Sequence, residues 1–214
     1  MLASKANFAC LCQKTSSLSP FLLRKIRLLE STAVYRVTDG IFIHFGHHVR
    51  GHLGPCISIH GHTWLFEVTL EAKSLDHQGF VLDFDLLHER VLTPCHRLLD
   101  HSLALGEESW RESSGAVAEL GKILYASRTK VQGTEGARQN GFAEEERALA
   151  GARNYWPGNI KVAVFPFTPT SERLAEWLAI MTQQEVGDER VRVRSARVVE
   201  SLHPTESSAE YICD

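Results

Sequence analysis

Six of the eleven histidines, His44, His47, His48, His52, His60 and His62, fall between positions 44 and 62. Imidazole is the commonest metal ligand among side chains, so this density raises metal chemistry first. Alternation sorts the six. From Tyr35 to His47, residues Ile41, Ile43, Phe45 and His47 share one face of a period-two pattern. From His60 to Leu70, the shared face holds His60, His62, Trp64, Phe66, Val68 and Leu70. Period two over such lengths reads as strands. The first apolar stripe ends in histidine and the second begins with it. Antiparallel pairing through the loop 48–59, punctuated by Gly51, Gly54 and Pro55, therefore sets His47, His60 and His62 side by side. His44 lies on the opposite face and is not expected to ligate. Three histidines leave one tetrahedral position open, as in catalytic rather than structural zinc sites. Cys56 is available as a fourth ligand, which would close the site and make it structural. Two-histidine strand pairs also serve iron and manganese, so spacing alone leaves the choice open.

The rest of the chain must frame those strands. A turn at Asp76–Gly79 leads through Phe80-Val81-Leu82 to a helix capped by Asp83 or Asp85. Phe84, Leu86, Leu87, Val91, Leu92 and Leu98 give it an apolar stripe, and Pro94 is expected to kink or interrupt it. The stretch from Leu105 to Asn159 is weakly patterned and reads as an insertion, with a polar loop at Ser127–Gly141 and a short helix at Glu144–Ala150. Ile160–Phe167 is a strand. Thr170 or Ser171 then caps a helix with Leu174, Trp177, Leu178 and Met181 on one face. Val191–Val199 is a strand whose alternation slips near Ser195–Ala196, as at a bulge, and Ala209–Cys213 is a last short strand. Two strands, two helices and two strands describe an α+β domain: an antiparallel sheet with helices on one face.

Composition supports a packed core, with 43% hydrophobic and 23% charged residues over 214 positions. A net charge of −3 argues against a nucleic-acid partner. No apolar run approaches the roughly 18 residues of a membrane span. Five cysteines without a CxxC pair point to a reducing compartment, and the expected location is cytoplasmic. Residues 1–32 differ: they carry Lys5, Lys14, Arg24, Lys25 and Arg27 with no acid before Glu30. They read as a disordered or organelle-targeting extension, which leaves 33–214 as the folded domain with its insertion at about 105–159.

Six motifs in one order resemble the family of 6-pyruvoyl-tetrahydropterin synthase and 6-carboxytetrahydropterin synthase. They are Ile41-Phe42-Ile43-His44-Phe45-Gly46-His47, then Gly54-Pro55-Cys56 with His60-Gly61-His62, then Gly79-Phe80-Val81-Leu82-Asp83-Phe84, Leu99-Asp100-His101, Pro169-Thr170-Ser171-Glu172, and the closing Val198-Val199-Glu200 with Ser208-Ala209-Glu210-Tyr211. The similarity covers about residues 34–103 and 160–211. It implies a T-fold (ββααββ) whose sheets join into an oligomeric barrel of hexamer type, with pterin sites between subunits. Assembly would also cover the exposed edges of a four-stranded sheet.

The resemblance also implies roles. His47, His60 and His62 hold Zn2+, which binds the side-chain hydroxyls of a dihydroneopterin triphosphate-like substrate and acidifies its neighbouring C–H and O–H groups. Cys56 is the proton-transfer base. Because a free thiol is only a few per cent thiolate at neutral pH, it needs a partner, and Asp100 with His101 resembles that partner. Glu200 accepts hydrogen bonds from the pterin's amino group and ring N–H. The expected activity is a zinc-dependent lyase forming 6-carboxytetrahydropterin, acetaldehyde and triphosphate, on the way to 7-deazaguanine and queuosine. The alternatives are the 6-pyruvoyl branch and a non-catalytic zinc-binding module. A non-haem iron oxygenase would want two histidines and a carboxylate, and no HxD or HxE follows the first strand. The chain departs from the family where relatives carry basic residues after the first zinc histidine and before the cysteine. Those positions are His48 and Pro55 here, leaving Arg50, His48 and His52 as the cations available to a triphosphate.

Overall fold

The computed structural model of the chain describes residues 33–132, 148–201 and 206–214, so the extension 1–32 lies outside the described residues. Strands β1 (Tyr35–His47) and β2 (His60–Ala72) pair antiparallel along their whole length, from Tyr35 opposite Ala72 to His47 opposite His60. This register decides the site. It places the apolar stripes on one face and lets both end in histidine at the same rim. The core side of the pair is Ile43, Phe45, Trp64, Phe66, Val68 and Leu70, all buried. Phe45 stacks on Trp64 with ring centroids 4.7 Å apart and planes 8° apart, directly beneath the histidines.

The helices cover that stripe. Helix α1 (Phe84–Leu87) starts at Asp83, whose carboxylate accepts from the Asp85 N–H, and runs through a π-helical turn (His88–Leu92) into α2 (Thr93–Leu99). The kink expected at Pro94 takes the form of that wide turn. Pro94 sits at the start of α2, where a missing N–H costs little. The long helix α3 (Glu107–Gln132) follows the short strand β3 (Leu103–Gly106). After β4 (Arg153–Tyr155) and β5 (Val162–Phe165), helix α4 (Ser171–Val186) is capped by Thr170, with Leu174, Trp177, Leu178 and Met181 buried. Strands β6 (Val191–Ser201) and β7 (Ser207–Ile212) close the chain. The expected slip falls at Arg194, since Thr69 opposes Ser195 and Leu70 opposes Val193.

The sheet order is β4-β5-β3-β1-β2-β6-β7. The antiparallel β1-β2-β6-β7 part, with α1, α2 and α4, is the expected ββααββ T-fold. Three short strands extend it at the β1 edge, with β3 parallel to both β1 and β5. The reading of Leu105–Asn159 as unpatterned therefore needs correction. Within Ser127–Gly141, residues up to Gln132 are helical and the remainder lies outside the described residues. Of the helix expected at Glu144–Ala150, only 148–150 are described, and they lead into a turn in which Leu149 bridges Ala152. The strand expected at Ile160–Phe167 is β5, whereas β3 escapes a period-two reading because core and α3 side chains cover both its faces, so every residue is apolar or small. Helix α3 escapes because Gly115, Gly121 and four serines dilute its helix propensity. Gly121 has a packing reason: a Cβ there would lie 2.3 Å from the Gly158 carbonyl oxygen, so the glycine lets the turn Pro157–Asn159 dock against the helix. Among the described residues, no helix is long and apolar enough to cross a membrane.

Candidate metal centre and active site

His47 closes β1, His60 and His62 open β2, and Glu200 lies near the end of β6 on the same face. One ligand atom from each of these four side chains lies within 4.8 Å of every other. Backbone carbonyls set the imidazoles. His47 Nδ1 is 2.8 Å from the Pro169 carbonyl oxygen, and His60 Nδ1 is 2.8 Å from that of Ser58. A carbonyl only accepts, so both Nδ1 atoms carry the hydrogen and both Nε2 atoms turn a lone pair inward. Those two Nε2 atoms stand 3.2 Å apart. His62 Nε2 is buried and makes no hydrogen bond, although Glu200 Oε1 is 3.2 Å away. Lone pairs facing one another in a buried pocket call for a cation between them, and carbonyl-anchored histidines are the usual support for one. Three imidazoles and a carboxylate suit zinc.

The electrostatics agree. Burial pushes His62 below the ordinary histidine value, Glu200 opposes this, and the neighbouring imidazoles add to it, so the neutral ligand form is favoured. Glu200 is held down to about 2, first by His47, whose Nε2 lies 3.4 Å away, and, against the cost of burial, by Ser171 and the nearby imidazoles. It is therefore ionised across the neutral range. Its second oxygen, Oε2, accepts from Ser171 Oγ at 2.8 Å. The start of α4 thus serves the cluster twice, through the Pro169 carbonyl and the Ser171 hydroxyl. The sequence motif marked this segment without revealing that task. Trp64 is fully buried with its ring 4.9 Å from that of His47 and 5.2 Å from that of His62, so it is the floor of the pocket. His44 points away and bonds Thr63 Oγ1 at 3.1 Å.

The acid–base residues are arranged differently. Asp100 caps the end of α2, and His101 follows in the left-handed region at φ 56°, a conformation that is uncommon for a residue with a side chain. His101 N–H donates to the His44 carbonyl at 2.8 Å, so β1 holds the turn and the ring is directed outward, with its side chain 80% exposed. Asp100 Oδ2 accepts from His101 Nδ1 at 2.7 Å, which leaves Nε2 free as an acceptor. Burial of Asp100 opposes ionisation, but hydrogen bonds from His101 and the His44 N–H outweigh it and its carboxyl lies below the ordinary value. Cys56 sits on a single 3-10 turn (Pro55–Ile57) in the loop 48–59, partly exposed, with its carbonyl accepting from Val49 N–H at 2.7 Å. Among the described residues, no hydrogen bond or ion pair joins Cys56 to Asp100 or His101.

Two of the cations available for a triphosphate are already engaged. Arg50 makes a two-pronged contact with Glu112, with its second N–O distance at 2.8 Å, and lies 3.3 Å from Glu108. His48 Nε2 is 2.9 Å from Ser109 Oγ, and burial pulls His48 below the ordinary histidine value. Helix α3 was not foreseen, so neither was this grip on the loop.

Comparison with known proteins places this geometry. The family profile described as 6-pyruvoyl tetrahydropterin synthase matches residues 37–211. A 6-carboxy-5,6,7,8-tetrahydropterin synthase of Rickettsia bellii (strain RML369-C) is 38% identical over 80 residues, which are 37% of this chain and 58% of that protein. The enzyme of the same name from Bacillus subtilis (strain 168) is 30% identical over 80 residues, 36% of this chain and 52% of that one. The matched segments thus span little more than half of these relatives. The crystal structure of an uncharacterised protein of Wolinella succinogenes superposes with a TM-score of 0.62 at 20% identity, covering 86% of this chain and 100% of that one, a likeness of fold. With its profile match extending over most of its length and His47, His60, His62 and Glu200 all inside it, the chain belongs to the 6-pyruvoyl tetrahydropterin synthase family.

Proposed function

We propose that this chain is a zinc-dependent 6-carboxy-5,6,7,8-tetrahydropterin synthase, converting 7,8-dihydroneopterin triphosphate to 6-carboxytetrahydropterin, acetaldehyde and triphosphate. The observation that carries the reading is the convergence of His47, His60 and His62, with carbonyl-fixed tautomers at His47 and His60 and the unpartnered His62 Nε2. A zinc ion held there would polarise the side-chain oxygens of the substrate and acidify the adjacent C–H and O–H groups. Cys56 takes and returns the proton, and His101, oriented by Asp100, exchanges it with solvent. Glu200 receives the amino and ring N–H donors of the bound pterin.

His101 is outward-facing and Cys56 has no contact with it in one chain, so the acid–base set is completed by a second copy. Strand β7 is a mostly exposed edge through which sheets can join. The relatives named for the 6-carboxy product favour that branch, and the role would lie in 7-deazaguanine and queuosine synthesis. The 6-pyruvoyl branch is the second reading, since it is the one the family profile is named for. Carbon balance separates them. The purified, zinc-loaded chain incubated with dihydroneopterin triphosphate should release acetaldehyde and triphosphate together. Triphosphate without acetaldehyde would assign the 6-pyruvoyl branch, and neither product would refute both.

A further inference from the structure

The pocket holds one donor more than the three-histidine reading uses. An ion bound tetrahedrally at about 2.0–2.1 Å requires its ligand atoms to stand about 3.3 Å from one another. The His47 Nε2–His60 Nε2 distance is 3.2 Å. Glu200 Oε1 lies 3.4 Å from His47 Nε2 and 3.2 Å from His62 Nε2. These three distances match edges of such a tetrahedron, all four ligand atoms lie within 4.8 Å of one another, and Glu200 Oε1 is the candidate for the fourth corner. The other oxygen is taken by Ser171 Oγ. In this position Oε1 faces the imidazoles and Oε2 is turned to Ser171, so the pair is not presented together to the paired donors of a pterin edge. The side chain is nonetheless 23% exposed and can rotate outward about its own bonds.

We propose that Glu200 is a displaceable fourth metal ligand. In the resting protein Oε1 closes the coordination shell and the Ser171 hydroxyl holds Oε2. When substrate arrives, its side-chain hydroxyls take the vacated corner and the released carboxylate turns to the donor edge of the ring. The exchange couples recognition of the ring to opening of the metal. A carboxylate beside three neutral imidazoles also lowers the net charge of a buried divalent site from two to one, which favours retention of the ion at rest. This proposal rests on the metal reading given above and adds a role for Glu200 and Ser171 within it.

The test uses the full chain loaded with Co2+ in place of Zn2+, read by visible absorption and by competition with a chelator, without turnover. In the unaltered protein the cobalt spectrum should be that of a closed four-coordinate site, and it should change when unphosphorylated 7,8-dihydroneopterin is added. Glu200→Gln should alter the resting spectrum and weaken metal binding by about 10–100-fold, the scale of losing a supporting ligand. Ser171→Ala, which keeps the carboxylate, should move both readouts in the same direction by less. A spectrum and affinity unchanged by Glu200→Gln, at one ion per chain, would overturn the proposal and leave the metal reading standing. Failure of the unaltered chain to take up either ion would overturn the metal reading, and this proposal with it.

Discussion

The metal pocket and the Cys56 loop adjoin in sequence and differ in how they are held. Every histidine of the pocket lies on a strand whose alternate residues are core, and His47 and His60 are each fixed by a backbone carbonyl. Moving one would cost packing at Trp64 and Phe45 as well as a hydrogen bond. The Cys56 loop instead exposes Leu53, Ile57 and Ile59, and its side-chain ties to the rest of the chain are Arg50 with two glutamates and His48 with a serine. Exposed ion pairs contribute about 0–1 kcal/mol each, far less than a packed strand. The contrast assigns the two halves of the chemistry. On the proposed function, the metal half is preorganised within one chain, whereas the proton-transfer half is assembled from a lightly held loop and an outward imidazole.

Breaking the rigid half should have the largest effect. His60→Ala should empty the metal site and abolish turnover, because it removes a ligand whose tautomer is already fixed. Elemental analysis after dialysis checks it, and a substituted protein that keeps one tightly bound ion would erase the distinction between the halves. Cys56→Ala should lower turnover by about 10²–10⁴-fold, the range of general acid–base catalysis, with metal content unchanged. Loss of metal with activity would instead make Cys56 a ligand. Asp100→Asn should cost less than Cys56→Ala, since His101 stays in place but loses the acceptor that orients it.

Smaller effects concern the frame. Glu71, almost fully buried on the sheet face away from the helices, accepts from Arg192 at 2.8 Å and Arg36 at 2.9 Å. Burial disfavours its ionised form, but the two guanidiniums outweigh that and hold its carboxyl below the ordinary value. A depressed carboxyl contributes stability that is present above the unfolded-state value, near 4, and lost as pH falls through the folded one. Thermal stability should therefore drop on acidification below about pH 4, and Glu71→Gln should lower stability at neutral pH by about 1–3 kcal/mol and flatten that acid limb. An acid limb as steep in the substituted protein would clear Glu71. Arg50→Ala should have the smallest effect, within about 1 kcal/mol on unfolding, together with faster alkylation of Cys56. An alkylation rate indifferent to Arg50 would show that α3 does not restrain the loop.

The strands that carry the histidine cluster were legible because each has one buried and one exposed face, and His47 and His60 fall at the ends of such stripes. The bulge at Arg194 and the Asp83 and Thr170 caps were legible for the same local reasons. Strand β3 and helix α3 were not, since a doubly covered strand loses alternation and a serine- and glycine-bearing helix loses its stripe. What no local pattern could convey is the long-range set of contacts at the site. The Pro169 carbonyl reaches His47 across 122 positions, and Ser171 reaches Glu200 across 29. Glu200 read as a pterin contact, and only the sheet order, which sets β6 beside β2, brings it to the histidines.

The central claim is that pterin chemistry in this chain depends on the ion held by His47, His60 and His62. Titrating metal-free protein with Zn2+ while following triphosphate release from dihydroneopterin triphosphate tests it most directly. Activity should rise from nil in proportion to added zinc and level off at one ion per chain, and the His60→Ala protein should stay inactive throughout. Full turnover before any zinc is added, with no other metal detected, would contradict the account.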